Sequence, residues 1–288
     1  MKPSVLAKTA AVLCLLTGLL SAPLHADEID VVLIGGQSNA AGRGLLRNLP
    51  VGFRPDANVM IYHSERTAKS RPGTQANTWG PLRAASDRAG LFGPELSLGT
   101  RLARRFPNRK WALIKHARGG TNLYRQWKAA PGKDRGPEFD IFMKTATAGL
   151  AELRKQGHTP HLRAMVWHQG CSDTSKQAPV SAAENYGKNL TALIDTVRKE
   201  LDAPDMAFVI GQILPMKSPG CVRRDTVRAQ QKALGSKEKR IFWVPTDGLQ
   251  MRRNDYHTQD PRDTLHLGTY GQLTLGERFA DAIPAPKD

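Results

Sequence analysis

DVVLIGGQSNAAGRG (residues 30–44) is the stretch whose reading decides the fold. Val31, Val32, Leu33 and Ile34 are apolar and mostly β-branched, the make-up of a short buried strand. Gly35 and Gly36 follow at once, where a strand stops and the backbone bends. Ser38 sits in that bend, two residues past the strand, and in open α/β folds ligands gather beyond the carboxyl ends of the strands. Asn39, Ala40, Ala41 and Gly42 add only small or polar side chains, which leaves room for a substrate to approach. The same turn also has a purely conformational use, because Gly, Ser and Asn favour turns on their own account.

Working outward, apolar runs of strand type alternate with segments of helical spacing. Residues 59–63 read as a second strand, and residues 64–93, rich in Gly, Pro, Ser, Thr and Asn, as a long surface loop. Leu96, Leu98, Leu102, Ala103 and Phe106 recur at helical spacing between Pro94 and Pro107. Strands are expected at 111–115, 163–167, 206–213 and 241–244, and helices at 139–156, 182–201, 224–234 and 270–283. Such alternation implies a parallel sheet covered on both faces, a three-layer α/β/α sandwich. Its strand carboxyl ends share one rim, and three of them carry polar or glycine-rich turns, at Ser38, at Gly119 with Gly120, and at Gln169.

The chain of 288 residues opens MKPSVLAKTAAVLCLLTGLLSAPLHA. Lys2 and Lys8 precede an apolar run over 10–20, and Ala26 is a small residue before a cut, the three-part layout of a secretory leader. Leu24 is larger than its place before the cut prefers. The run is too short for a membrane span, and no later stretch approaches ~20 uninterrupted apolar residues. The expectation is a leader over 1–26 and one exported domain over 27–288, periplasmic or secreted and with no membrane span after cleavage. The formal net charge is +16. Lys and Arg are scattered without aromatic interleaving or a recognition motif, so no nucleic-acid partner is expected. Cys14 leaves with the leader; Cys171 and Cys221 remain, open to pairing in an oxidising compartment and too few for a zinc cage. Nothing in the composition fixes an oligomeric state.

A serine nucleophile needs a base, an acid that orients the base, and donors for the developing oxyanion. His266 in DPRDTLHLG is the candidate base, with Asp263 three residues upstream, a spacing that lets one short loop present both side chains. Donors are available from the Ser38 amide, the Gly119 or Gly120 amide and the Gln169 side chain. The nucleophile elbow GxSxG is excluded by Ala40, and no GxxxxGK phosphate loop occurs.

GQSNAAG, FGPE, ARGGTNL, WHQGCSD and DTLHLG, in this order, resemble the motifs of the SGNH (GDSL-like) hydrolases. The branch is the one with sialate O-acetylesterases and acetylxylan esterases of carbohydrate esterase family 6. The resemblance implies a flavodoxin-like sandwich, Ser38 as nucleophile and His266 as base. It implies an oxyanion hole of the Ser38 amide, Gly120 or Gly119, and Gln169. The implied reaction removes an acetyl ester from a carbohydrate without a cofactor, and Gln37, Asn39, Glu95, Thr121 and His168 are candidates for touching the substrate. The branch usually has a glutamate after HQG, where this chain has Cys171. That makes Asp263 the better candidate for the acid and Asp173 the lesser one, with a Cys171 to Cys221 bridge as a structural reason for the exchange. The alternative is a catalytically weakened or inactive relative of the same fold that binds carbohydrate or envelope polymer.

Overall fold

The computed structural model describes residues 27–67, 75–215, 220–258 and 260–286, so the expected leader lies outside the described residues. The first elements are β1 (Glu28–Gly36), α1 (Ser38–Ala41), β2 (Gly44–Leu45), β3 (Met60–His63), β4 (Gly80–Pro81) and β5 (Leu91–Phe92). They are followed by α2 (Glu95–Arg105), β6 (Lys110–Ala117), α3 (Pro137–Lys155), β7 (Thr159–His168), α4 (Val180–Glu184) and α5 (Tyr186–Glu200). The chain closes with β8 (Ala207–Gly211), α6 (Arg224–Ala233), β9 (Ile241–Val244) and α7 (Thr269–Ala282).

Among the described residues seven strands form one sheet in the order β4-β3-β6-β1-β7-β8-β9, parallel except for β4, which pairs antiparallel with β3. Both faces are covered, as the unbroken apolar run of β1 requires. Val31 and Leu33 pack on one side with Phe142 and Leu150 of α3 and Leu190 of α5. Val32 and Ile34 pack on the other with Leu98 and Leu102 of α2 and Leu275 and Phe279 of α7. The expected three-layer sandwich is therefore the observed architecture. The strand order differs in one respect from that of flavodoxin, where the second and third strands flank the first. Here β3 and β6 lie on the same side of β1.

Register decides where the rim residues meet. Gly36 of β1 lies opposite Ala117 of β6 and His168 of β7, so three carboxyl ends finish level with one another. Within the expected surface loop over 64–93, residues 80–92 are more than that: Leu82, Ala84 and Ala85 are buried, and β4 and β5 pair with other strands. Small apolar residues fit beneath α2 there without a periodic pattern to announce them. The helix expected over 182–201 divides at Asn185, between α4 and α5. Among the described residues no helix is long and apolar enough to cross a membrane.

Candidate active site

The serine turn is held from beneath. Gly36 has φ of 137°, and a Cβ there would stand 2.3 Å from the His168 carbonyl oxygen, so only glycine lets β1 end so close to β7. The Gln37 N–H donates to that same carbonyl at 3.0 Å, and α1 begins at Ser38. Under its last residue, the Lys115 ammonium donates to the Ala41 carbonyl at 3.1 Å and to Glu95 at 2.5 Å. Both side chains of that ion pair are wholly buried. Burial pulls the Lys115 pKa down, while the Glu95 carboxylate acts against the shift. Glu95 also accepts the N–H groups of Ala85 and Gly93. The expectation that Glu95 touches substrate is thus corrected: a carboxylate enclosed with a lysine braces the turn.

His266 lies in the loop before α7. Its Nδ1 is 2.7 Å from Oδ2 of Asp263, whose Oδ1 accepts the N–H groups of Leu265 and His266 itself. Burial alone would raise the Asp263 pKa, but the hydrogen bond and charge of His266 and these two N–H groups outweigh it and hold the carboxyl below its usual range. Asn39 joins this loop to the serine turn. Its Nδ2 donates to the Leu265 carbonyl and its Oδ1 accepts the Leu267 N–H, gripping the chain on either side of His266. Asn39 is 1% exposed, so it positions the histidine loop and does not reach a substrate as expected.

Ser38 and His266 line one cavity of about 490 Å³ together with Gln37, Arg43, Asp87, Arg88, Gly119, Gly120, Cys171 and Cys221. With Nδ1 bound to Asp263, Nε2 is the ring nitrogen left for the cavity. No hydrogen bond joins it to the serine hydroxyl in this state; such contacts commonly tighten only when substrate is bound. Gly120 has no acceptor assigned to its N–H among the described residues, whereas the Gly119 N–H donates to Asp87 at 2.8 Å. Asp87 is paired with Arg43, which runs behind Gly119. Of the two glycines, Gly120 is the one with an uncommitted amide. Gln37 turns its Oε1 toward the N–H groups of Gly170 and Ser172 and the amide of Gln169, which leaves its Nε2 without a partner among the described residues.

Three expected contacts fall elsewhere. Gln169 is buried and spends its Nε2 on Gln37, the Thr121 carbonyl and Asp173, so it is no oxyanion donor in this geometry. Thr121 is buried between the Arg118 carbonyl and the Trp127 indole. His168 is 1% exposed, and burial pushes its pKa down to about 4, so it is a neutral ring packed beside Gly211. Asp173 accepts the Leu123 and Tyr124 N–H groups and the Gln169 amide, far from the role of orienting His266. The cysteines are unpaired thiols rather than a disulfide: Cys221 Sγ points at the Cys171 carbonyl oxygen, 3.8 Å away. Arg43, Asp87 and Arg88 were missed by sequence reasoning, because nothing in their spacing ties them to Ser38.

A larger cavity of about 910 Å³ adjoins through Asp87 and is lined by Ser64. Ser64 Oγ lies 2.7 Å from His116 Nδ1, and His116 Nε2 lies 3.0 Å from Glu138. That imidazole is fully enclosed with both nitrogens engaged, so no leaving group reaches it; the His266 side chain is 25% exposed.

The family model for carbohydrate esterases described as sialic acid-specific acetylesterases matches residues 28–285. A protein named a probable carbohydrate esterase of Arabidopsis thaliana is 26% identical over 279 residues, 91% of this chain and 92% of its own. A crystal structure from Arabidopsis thaliana superposes with a TM-score of 0.65 at 22% identity, covering 88% of this chain and 97% of that one. The structure of NanS gives a TM-score of 0.64 at 16% identity, covering 90% and 97%. A carbohydrate acetylesterase from Xanthomonas citri gives 0.55 at 17%, covering 88% of this chain and 55% of that one. At these identities the structural likenesses speak for the fold alone.

Proposed function

The chain belongs to the carbohydrate esterase family of sialic acid-specific acetylesterases, and from that premise we propose that it is a serine esterase removing O-acetyl groups from a carbohydrate. Ser38 attacks the acetyl carbonyl while His266 Nε2 takes the hydroxyl proton, and Asp263 holds the ring with Nδ1 protonated. The N–H groups of Ser38 and Gly120 and the Gln37 amide nitrogen supply donors for the oxyanion. Collapse breaks the bond to the sugar oxygen, which receives the proton from His266 and leaves an acetyl-serine. Water, deprotonated by His266, then releases acetate and restores Ser38.

What carries the reading is the 2.7 Å contact of Asp263 with His266 on the wall of the cavity that Ser38 also lines. That carboxylate supplies the acid that Cys171 cannot, and so favours catalysis over an inactive binding protein. The leader-like sequence over 1–26 supports action outside the cytoplasm. Acetate release from acetylated sialic acid, acetylated xylan and acetylated peptidoglycan tests the substrate, and p-nitrophenyl acetate tests the chemistry. Ser38→Ala is expected to abolish turnover of all of them and to prevent labelling by a fluorophosphonate probe. Retained turnover in that variant overturns the assignment.

A further inference from the structure

Arg43 and Asp87 line the catalytic cavity, and no step of the proposed reaction uses either. Arg43 comes directly after the serine turn. Its Nη1 donates to the Gly42 carbonyl at 2.6 Å and to Oδ1 of Asp87 at 2.6 Å. Oδ2 of Asp87 accepts the Gly119 N–H at 2.8 Å. One carboxylate therefore ties the end of the serine turn to the loop after β6, although these partners stand 44 and 32 residues from it along the chain. The pair is enclosed, with side chains 2% and 14% exposed. A Cβ on Gly119 would stand 2.4 Å from Arg43 Nη2 and 3.6 Å from the Ser38 Cβ, so guanidinium, glycine and serine are packed together.

The peptide unit between Arg118 and Gly119 is held at both ends. Its carbonyl accepts the Thr121 hydroxyl at 2.8 Å, and its N–H donates to Asp87. A peptide unit is planar, so two such bonds fix its orientation, and only the dihedrals at Gly119 separate it from the Gly120 N–H. Two glycines in succession have no conformational preference that would aim that N–H by itself. A bare carboxylate this close would oppose a developing oxyanion, and the Arg43 charge offsets it. Burial would raise the Asp87 pKa, but the hydrogen bond and charge of Arg43 and the Gly119 N–H hold it below its usual range, so the carboxylate keeps its charge and its grip.

We infer that the Arg43–Asp87 pair sets the oxyanion hole: it fixes the loop after β6 against the serine turn, so that the Gly120 N–H is aimed before substrate arrives. Both act through Gly119 and are positioning residues. The inference rests on the esterase reading, and its test separates the two.

The test compares p-nitrophenyl acetate with its thiono analogue, in which sulfur replaces the carbonyl oxygen. Sulfur is larger and accepts hydrogen bonds weakly, so a well-aimed hole favours the oxygen ester. Comparing that preference between wild type and variant cancels the intrinsic reactivity of the two esters. Asp87→Asn offers one oxygen where Arg43 and the Gly119 N–H need two. In that variant kcat for the oxygen ester should fall by about a hundredfold with KM little changed. Its preference in kcat/KM for oxygen over sulfur should shrink by about tenfold. Thermal melts report whether the variant is folded. If it is not, Arg43→Lys decides by the same two readings: it keeps the charge and loses the fork that holds Gly42 and Asp87 together. A kcat within about threefold of wild type, or a fall in kcat with the oxygen preference unchanged, overturns the positioning role and leaves the esterase standing. Wild-type protein that does not turn over p-nitrophenyl acetate, or does so equally well as Ser38→Ala, overturns the esterase reading and this inference with it.

Discussion

Oδ1 of Asp263 accepts two backbone N–H groups and leaves Oδ2 for His266, a division of labour that an amide cannot copy. Asp263→Asn keeps an oxygen for the backbone but turns an NH2 toward Nδ1, which selects the tautomer with the proton on Nε2, where the base must be bare. The expected result is a loss in kcat of about a thousandfold with KM little changed, read from steady-state kinetics; Asp173→Asn should leave a far smaller mark. Asp173 has a different signature. Burial pushes its carboxyl up to about 6, above the ordinary 3.8. The folded protein therefore binds that proton more tightly than the unfolded chain, and stability falls as pH rises from 3.8 to about 6. Asp263, Asp87 and Glu138, whose pKa values are lowered, contribute in the opposite sense and lose their contribution as pH falls below the usual carboxylate range. Melting temperatures measured at pH 4 to 6 should fall less steeply in Asp173→Asn than in the wild type. Parallel profiles would show that Asp173 does not titrate there.

At the scale of elements, the serine turn depends on α2 and β6 more than on its own four residues. Glu95 opens α2 and Lys115 lies within β6, and their enclosed pair caps the carbonyl at the end of α1. Glu95→Gln leaves an ammonium buried without its counter-charge, at a cost of about 3–5 kcal/mol in a urea melt. A change below ~1 kcal/mol, the range of exposed pairs, would show that water reaches the lysine. The histidine loop depends likewise on Asn39, which follows Ser38 by one residue and grips the chain around His266. FGPE and the asparagine of GQSN are visible as motifs, yet their parts in this structure are bracing ones. A motif records which residue types recur together and not which way their side chains turn.

Across the whole molecule, the first strand is the centre of the sheet, and the last helix packs beside the second over one face of it. Removing either end of the described chain would strip the core that covers β1, so we expect one cooperative thermal transition, with calorimetric and van't Hoff enthalpies in agreement; two separable transitions would divide the domain. Layer architecture, the parallel sheet and the Ser38 and His266 turns were already determined by sequence alone. Buried strands and amphipathic helices declare themselves through near neighbours, and strand ends in such a sheet share one rim. Partner choice was decided only in three dimensions. Gly119 gives its amide to Asp87, Gln169 turns inward to Asp173, and Asn39 grips the chain around His266. The physical reason is that a hydrogen bond or a charge contact depends on separation and direction in space, and these groups lie from 4 to more than 200 residues apart along the chain, where no local periodicity records them.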